Sequence, residues 1–283
     1  KQLSALQIEA DELLEAAGFT SEDLDAMVDD VEDLDIGHSD PDEIPELQKE
    51  TRTKVGQIWE LGRHRLMCGD SSQVENVKAM LGSELVDLVL TDPPYNLAQD
   101  QPLVAQTANT KIYSELIDSG WDKDFDPKSF IENLPEYIKD DCFVCVFTSH
   151  LLFGKIIDSL NEKFKKTGHL VWCKQNPMPA LMKVSWTHAT ELIAYSRIGK
   201  PTFNFPKLGH CLNYIVSTKQ PRKDHPTSKP AELLAGLISQ SSPKKGLVLD
   251  LYLGSGSTLI AAEQTGRACY GMDIEPSYCD LTL

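Results

Sequence analysis

Apolar positions after residue 55 fall into short runs separated by amphipathic stretches. Leu88–Leu90, Cys142–Thr148, His169–Lys174, Glu191–Arg197, Gly246–Tyr252 and Ala268–Ile274 are apolar or β-branched segments bounded by turn residues, the pattern of buried strands. Gln57–Leu61 and Arg65–Gly69 are also strand-like. Val74–Leu81, Lys128–Ile138, His150–Phe164, Ala231–Ile238 and Ser257–Thr265 carry apolar residues at helical spacing. Strands alternating with helices predict an α/β fold, with a mostly parallel central sheet covered by helices on both faces. Residues 97–127 are polar and turn-rich, too long for an ordinary connection, and read as a loop. Residues 198–229 read as irregular.

The first 52 residues differ. Leu3, Leu6, Leu13 and Leu14 mark one amphipathic helix that ends at Gly18. Thr20-Ser-Glu-Asp23 then opens a second helix with an acidic capping box. Pro41, Pro45 and many acids mark a linker. The expected organisation is an acidic helical head and linker over 1–52 and a main domain over 53–283.

Charge supports this division. Residues 1–50 hold 17 acids and two bases, which is nearly all of the chain's net −16. The body is close to neutral, yet residues 174–229 contain nine bases against two acids. Such a segment suits a polyanion. Seven scattered cysteines in apolar runs read as reduced, buried thiols rather than a disulfide framework. Cys142-x-x-Cys145 has no second Cys or His pair at finger spacing, so no metal is expected. No apolar run approaches the roughly 20 residues of a membrane span, and no signal peptide is visible, so no membrane partner and a cytoplasmic location are expected.

Two stretches carry chemistry. The strand Leu88–Leu90 runs into Asp92-Pro93-Pro94-Tyr95. Two prolines cannot continue a central strand, and the residue before a proline is held extended. Asp92 therefore stands at a strand's carboxyl end, where α/β sheets bind ligands. A carboxylate, carbonyls without competing N–H groups and an aromatic ring suit a planar amino group. Second, the Asp250 strand leads through Tyr252 into Gly254-Ser255-Gly256-Ser257-Thr258 and a helix, a nucleotide-type turn that lacks a third glycine. Asp273 and Glu275 end the next strand, about twenty residues on, where a carboxylate meets a ribose diol. A nicotinamide dinucleotide and a smaller adenosyl ligand both satisfy this pattern.

With both stretches in view, residues 55–283 resemble a DNA amino-methyltransferase of the N6-adenine/N4-cytosine kind. His225-Pro-Thr227-Ser228-Lys229-Pro is similar to the family's methionine-binding motif, and Cys68-Gly-Asp70-Ser to the segment that touches the cofactor's adenine. The order of catalytic motif, basic segment and glycine turn resembles the permuted β group. Gly18–Leu24 and Val55–Leu66 are similar to the junction in phage and plasmid proteins that join a ParB-like domain to such a methylase.

The resemblance implies a Rossmann-like methyltransferase fold, S-adenosyl-L-methionine as cofactor and double-stranded DNA as partner, in a bacterial or phage-infected cell. It allows a homodimer. It implies catalytic roles for Asp92, Pro93, Pro94 and Tyr95. Asp70, His225, Thr227, Ser228, Lys229, Asp250, Tyr252, Gly254–Thr258, Asp273 and Glu275 would hold the cofactor. The target-recognition segment falls at about 175–225. Lys174, Lys183, Arg197, Lys200, Lys207, Lys219, Arg222 and Lys223 would contact DNA. Asp92, where N4-cytosine enzymes more often have Ser, favours N6 of adenine. The alternatives are N4 of cytosine, methylation of RNA or protein, and a non-catalytic DNA-binding accessory built on the same scaffold.

Overall fold

The structure is a computed structural model that describes residues 51–96, 125–177, 186–205, 211–217 and 229–283. The acidic head lies outside the described residues, as does most of the 97–127 loop.

Nine strands form one sheet: β1 (Ile58–Leu61), β2 (His64–Cys68), β3 (Val86–Thr91), β4 (Ile138–Thr148), β5 (Thr167–Lys174), β6 (Thr190–Ile198), β7 (Tyr214–Ser217), β8 (Leu247–Asp250) and β9 (Ala268–Asp273). Their spatial order is β1-β2-β9-β8-β3-β4-β6-β5-β7. The run from β2 through β9, β8 and β3 to β4 is parallel. β6 lies antiparallel between β4 and β5. Among the described residues six helices accompany the sheet: α1 (Val74–Leu81), α2 (Lys128–Ile131), α3 (Phe153–Phe164), α4 (Ala231–Ser241), α5 (Ser257–Gln264) and α6 (Pro276–Thr282).

The period-two side-chain alternation of a strand divides the core into two layers. Val89, Val144, Val146 and Leu249 face α1, α2 and α3, where they meet Val77, Phe130, Ile156 and Leu160. Leu88, Leu90, Phe143, Cys145 and Val248 face the other way, onto Leu234, Ile238, Ala261 and Cys279 of α4, α5 and α6. Cys142 and Cys145 consequently lie on opposite faces of β4 and cannot share a ligand. All seven cysteines are free thiols. No described helix is long and apolar enough to cross a membrane.

Chain direction across the sheet reverses between β3 and β8, which are adjacent in register with Leu88 opposite Val248 and Val89 opposite Leu249. This is a topological switch point, where loops leave in opposite directions and open a crevice at the strands' carboxyl ends. At the far edge, Asp87 locks the same strands. It accepts from Lys139 Nζ at 2.8 Å and from the Leu247 backbone N–H at 2.9 Å.

The expected mostly parallel sheet is present, with five of its eight described strand pairs parallel, and two expectations need correction. The helix expected over Lys128–Ile138 is short α2 followed by a 3₁₀ turn at Leu134–Glu136. Pro135 lacks the N–H needed to extend it, and Ile138 already belongs to β4. Within the segment expected to be irregular, Tyr214–Ser217 forms β7 and pairs in parallel with β5. Antiparallel pairing enters where β6 adjoins β4 and β5 and where β1 and β2 form a hairpin.

Candidate active site

Thr91 at the end of β3 is buried, and its hydroxyl donates to Asp250 Oδ1 at 2.8 Å. Thr91 Oγ1 in turn accepts from the Leu251 N–H at 3.2 Å, so the ends of β3 and β8 are tied together. Asp92 follows immediately. Pro93 and Pro94 then carry the chain out of the sheet without N–H groups of their own. Beyond them Asn96 adopts φ 56°. Its side-chain amide donates to the Phe125 carbonyl and accepts from the Phe125 N–H, each at 2.9 Å. Ser149 Oγ donates to the Tyr95 carbonyl at 3.2 Å, fixing the ledge against the end of β4.

A buried charge cluster surrounds Asp92. Tyr95 OH donates to Asp92 Oδ1 at 2.6 Å and lies 3.4 Å from Glu191 Oε2. Lys229 Nζ is paired with Asp92 Oδ2 and sits 3.5 Å from Glu191 Oε2. Its side chain is only 7% exposed, and that of Asp92 is 25% exposed. The ammonium also lies over the rings of Tyr95 and Phe147, at 5.3 and 5.1 Å from their centroids. Glu191 is held on its other side by Lys174.

Burial pushes the Asp92 carboxyl above the usual range, and the Lys229 ammonium opposes the push. For Lys229 burial acts downward, but Asp92 and Glu191 outweigh it, so the amine stays firmly charged. Burial and the same carboxylates hold the Tyr95 hydroxyl well above its ordinary value, so it remains a donor.

The glycine turn lies alongside. Gly254 has φ 56°, and a Cβ there would meet nothing within 4 Å, so the turn faces open space. Its N–H donates to Asp273 Oδ2 at 2.9 Å, while the Glu275 N–H donates to Oδ1 at 2.9 Å. Gly256 has φ 85°, and a Cβ would come 2.9 Å from Thr282 Oγ1, so side chains are excluded both by conformation and by α6. Ser255, Ser257 and Thr258 are buried at the start of α5, whose first-turn N–H groups have no acceptor within the helix.

Burial pushes the carboxyls of Asp250 and Asp273 each up to about 6. Tyr252 packs edge-on against Phe125 and Phe130, with centroids at 5.7 Å in both cases. Glu275 caps α6, accepting from Ser277 Oγ at 3.1 Å. Asp70 stands at the end of β2, next to β9, and accepts from the Ser72 N–H at 2.9 Å. The neighbouring Gly69 N–H donates to the Asp273 carbonyl at 2.8 Å. Asp70, Asp273, Gly254 and Asp92 thus follow four successive parallel strands at one edge of the sheet.

The described bases of the segment do not share one face. Lys174 is turned inward onto Glu191, with its ammonium 5.1 Å from the Trp172 ring centroid, and is not presented to a phosphate. Arg197 pairs with Phe143 near the start of β4. The Lys200 N–H donates to Asp141 Oδ1 at 2.7 Å. Both therefore lie at the sheet edge opposite Asp92, because β6 runs antiparallel and carries its last residues away from the pocket. Lys183, Lys207, Lys219, Arg222 and Lys223 lie outside the described residues, as do His225, Thr227 and Ser228. Lys229, grouped with the cofactor by motif, reaches the Asp92–Tyr95 ledge directly. Glu191 escaped the motif reading; being one of two acids in a basic segment was its only mark.

Comparison with known proteins agrees with this arrangement. The sequence profile of the DNA methylase family matches residues 86–213 and 209–283. A Type II methyltransferase of Streptococcus pneumoniae, M2.DpnII, is 30% identical over 224 residues, covering 69% of this chain and 80% of the relative. The Type II methyltransferase M.HinfI of Haemophilus influenzae is 27% identical over 238 residues, covering 74% of this chain and 64% of the relative. Among solved structures, the M1.HpyAVI–SAM complex superposes with a TM-score of 0.60 at 24% identity, covering 77% of this chain and 96% of that one. PvuII DNA methyltransferase (cytosine-N4-specific) gives 0.61 at 16% identity, covering 81% and 89%. These two share the fold. The matched profile and the 30% identical relative place the chain in the N6/N4 DNA methylase family, as a DNA amino-methyltransferase.

Proposed function

We propose that this protein transfers a methyl group from S-adenosylmethionine to the exocyclic N6 of a flipped adenine in duplex DNA. The observation that carries the reading is the register of β3 against β8, which sets the Asp92 ledge beside the glycine turn at the switch point.

The residues around the turn fit an adenosyl cofactor. Space above Gly254 is open. The Asp273 carboxylate accepts two backbone N–H bonds, which leaves acceptor capacity for two ribose hydroxyls. Asp70 on the adjacent strand would receive the adenine, and the Gly254–Thr258 turn would line the methionine side. The bound cofactor supplies an electrophilic sulfonium methyl.

The adenine amino group is a weak nucleophile because its lone pair is delocalised into the ring. Asp92 and the Pro93 carbonyl accept its two N–H bonds, favouring the pyramidal nitrogen of the transition state over the planar ground state. Lys229 keeps the buried Asp92 carboxylate ionised and therefore an acceptor. The Tyr95 ring stacks on the extruded base, and its hydroxyl braces Asp92. Holding nitrogen and methyl in line beside each other lowers much of the remaining barrier. Asp at position 92 favours adenine over cytosine. Lys183, Lys207, Lys219, Arg222 and Lys223 of the 175–225 segment would track phosphates.

The test is incubation with tritiated cofactor and duplex DNA, digestion, and identification of the labelled nucleoside. N6-methyl-2′-deoxyadenosine is expected. N4-methyl-2′-deoxycytidine would overturn the base assignment, and absence of label would overturn the reaction.

A further inference from the structure

Trp186 is 92% exposed, whereas Trp172 on β5 is fully buried and donates its Nε1–H to Ser217 Oγ at 2.8 Å. Tryptophan is heavily buried on average, and an indole left in water forfeits a large apolar contact area. Among the described residues nothing stacks on its ring. Its place in the fold is specific. Two residues on, His188 stacks against His150 with centroids 5.6 Å apart and an interplanar angle of 18°. His150 follows Ser149, whose hydroxyl holds the Tyr95 carbonyl. Five residues on from Trp186 stands Glu191, 3.4 Å from the Tyr95 hydroxyl. Trp186 therefore lies exposed on the segment that enters β6 beside the end of β4, the edge of the sheet where Ser149 and Asp92 stand.

We propose that Trp186 is a stacking wedge that enters the DNA duplex and occupies the place vacated by the target base. The inference rests on the reading of the pocket as a base-methylation site and adds a residue outside both of its motifs. Extruding a base costs its stacking on both neighbours and its pairing with the opposite strand. A flat, rigid ring inserted from the same side restores the stacking, and an aromatic wedge is a general means of holding an opened step. Trp186 has the required shape, exposure and position. The His150–His188 stack ties the 186–189 segment to the end of β4.

The test uses the full protein, its Trp186→Ala and Trp186→Phe variants, and duplexes carrying the mapped target with 2-aminopurine in place of the target adenine. Wild-type protein is expected to raise 2-aminopurine emission as the base leaves the stack. Trp186→Ala should lose most of that rise and bind the specific duplex about 10- to 100-fold more weakly, the scale of one base–aromatic stack. Affinity for S-adenosylmethionine should stay unchanged, and Trp186→Phe should retain most of the emission rise. The wedge is overturned if Trp186→Ala gives the wild-type rise and affinity. It is also overturned if that variant loses cofactor affinity in parallel, which marks a structural role. Failure of the underlying reading looks different: wild-type protein then transfers no methyl group to any duplex.

Discussion

Replacing Lys229 with methionine removes one charge from a pocket that holds four, those of Asp92, Glu191, Lys174 and Lys229. Methionine keeps the length and most of the volume, so packing against Tyr95 and Phe147 should survive. What is lost is the cation on Asp92. Breaking a buried pair by removing one partner costs about 3–5 kcal/mol while the other stays charged.

Asp92 has an escape, which is to take up a proton. From an ordinary carboxyl value of 3.8, protonation costs about 4 kcal/mol at pH 7 but under about 2 kcal/mol at pH 5. The destabilisation is therefore expected to be about 3–4 kcal/mol at neutral pH and to shrink as pH falls. The sign follows from linkage. A carboxyl raised in the folded state binds more protons folded than unfolded, so stability falls as pH climbs between the two values.

Urea unfolding of both proteins at pH 5, 6, 7 and 8 measures the effect. Methyl transfer should drop about 100-fold at pH 7, the scale of losing one preorganised polar group. A difference under about 1 kcal/mol, or one that does not change with pH, would refute the view that Lys229 keeps Asp92 ionised.

The cofactor side should show its own pH dependence. Asp273 is pushed up to about 6 by burial, so calorimetric affinity for S-adenosylmethionine should weaken as pH falls below that value, and Asp273→Asn should bind weakly without the dependence. Gly256→Ala places a Cβ 2.9 Å from Thr282 Oγ1 at φ 85°; it should cost about 1–3 kcal/mol of stability in thermal unfolding and loosen the cofactor. Arg197→Ala and Lys200→Ala lie on the edge away from Asp92 and should leave DNA affinity and its salt slope unchanged in titrations across salt.

Local chemistry was the most legible part of the sequence. The Asp92-Pro-Pro-Tyr95 break could be placed because prolines end a central strand wherever they occur, and β3 does stop at Thr91. α1 was expected at Val74–Leu81 and is found there, since apolar spacing and a terminal glycine are both local signals. β8, β9 and α5 were equally visible, as continuous apolar strands and a glycine-led helix. Strand direction was not visible. Nothing local in Thr190–Ile198 says that it inserts antiparallel between β4 and β5, and that placement decides where its charges go. Arg197 and Lys200 were grouped with Lys174 because they are near in sequence, while the fold sends them to opposite edges and buries Lys174. β7 was lost for a related reason: Tyr214-Ile-Val is a β-type run, but four residues inside a basic, proline-bearing stretch give little periodicity.

Placement of Lys229 carries a wider lesson about the site. Its motif groups it with the cofactor, while its ammonium lies on the Asp92 carboxylate. A residue at the junction of two half-sites answers to both. Glu191 shows the same coupling from the opposite wall, joining β6 to the ledge through Tyr95 and Lys229.

The most direct test is methyl transfer by Asp92→Ala, measured beside its cofactor affinity. Asp92 should be required for chemistry but not for holding S-adenosylmethionine. The account predicts cofactor binding within a few-fold of wild type and transfer to duplex DNA reduced by at least about 100-fold. A variant that still labels adenine at the wild-type rate would contradict it.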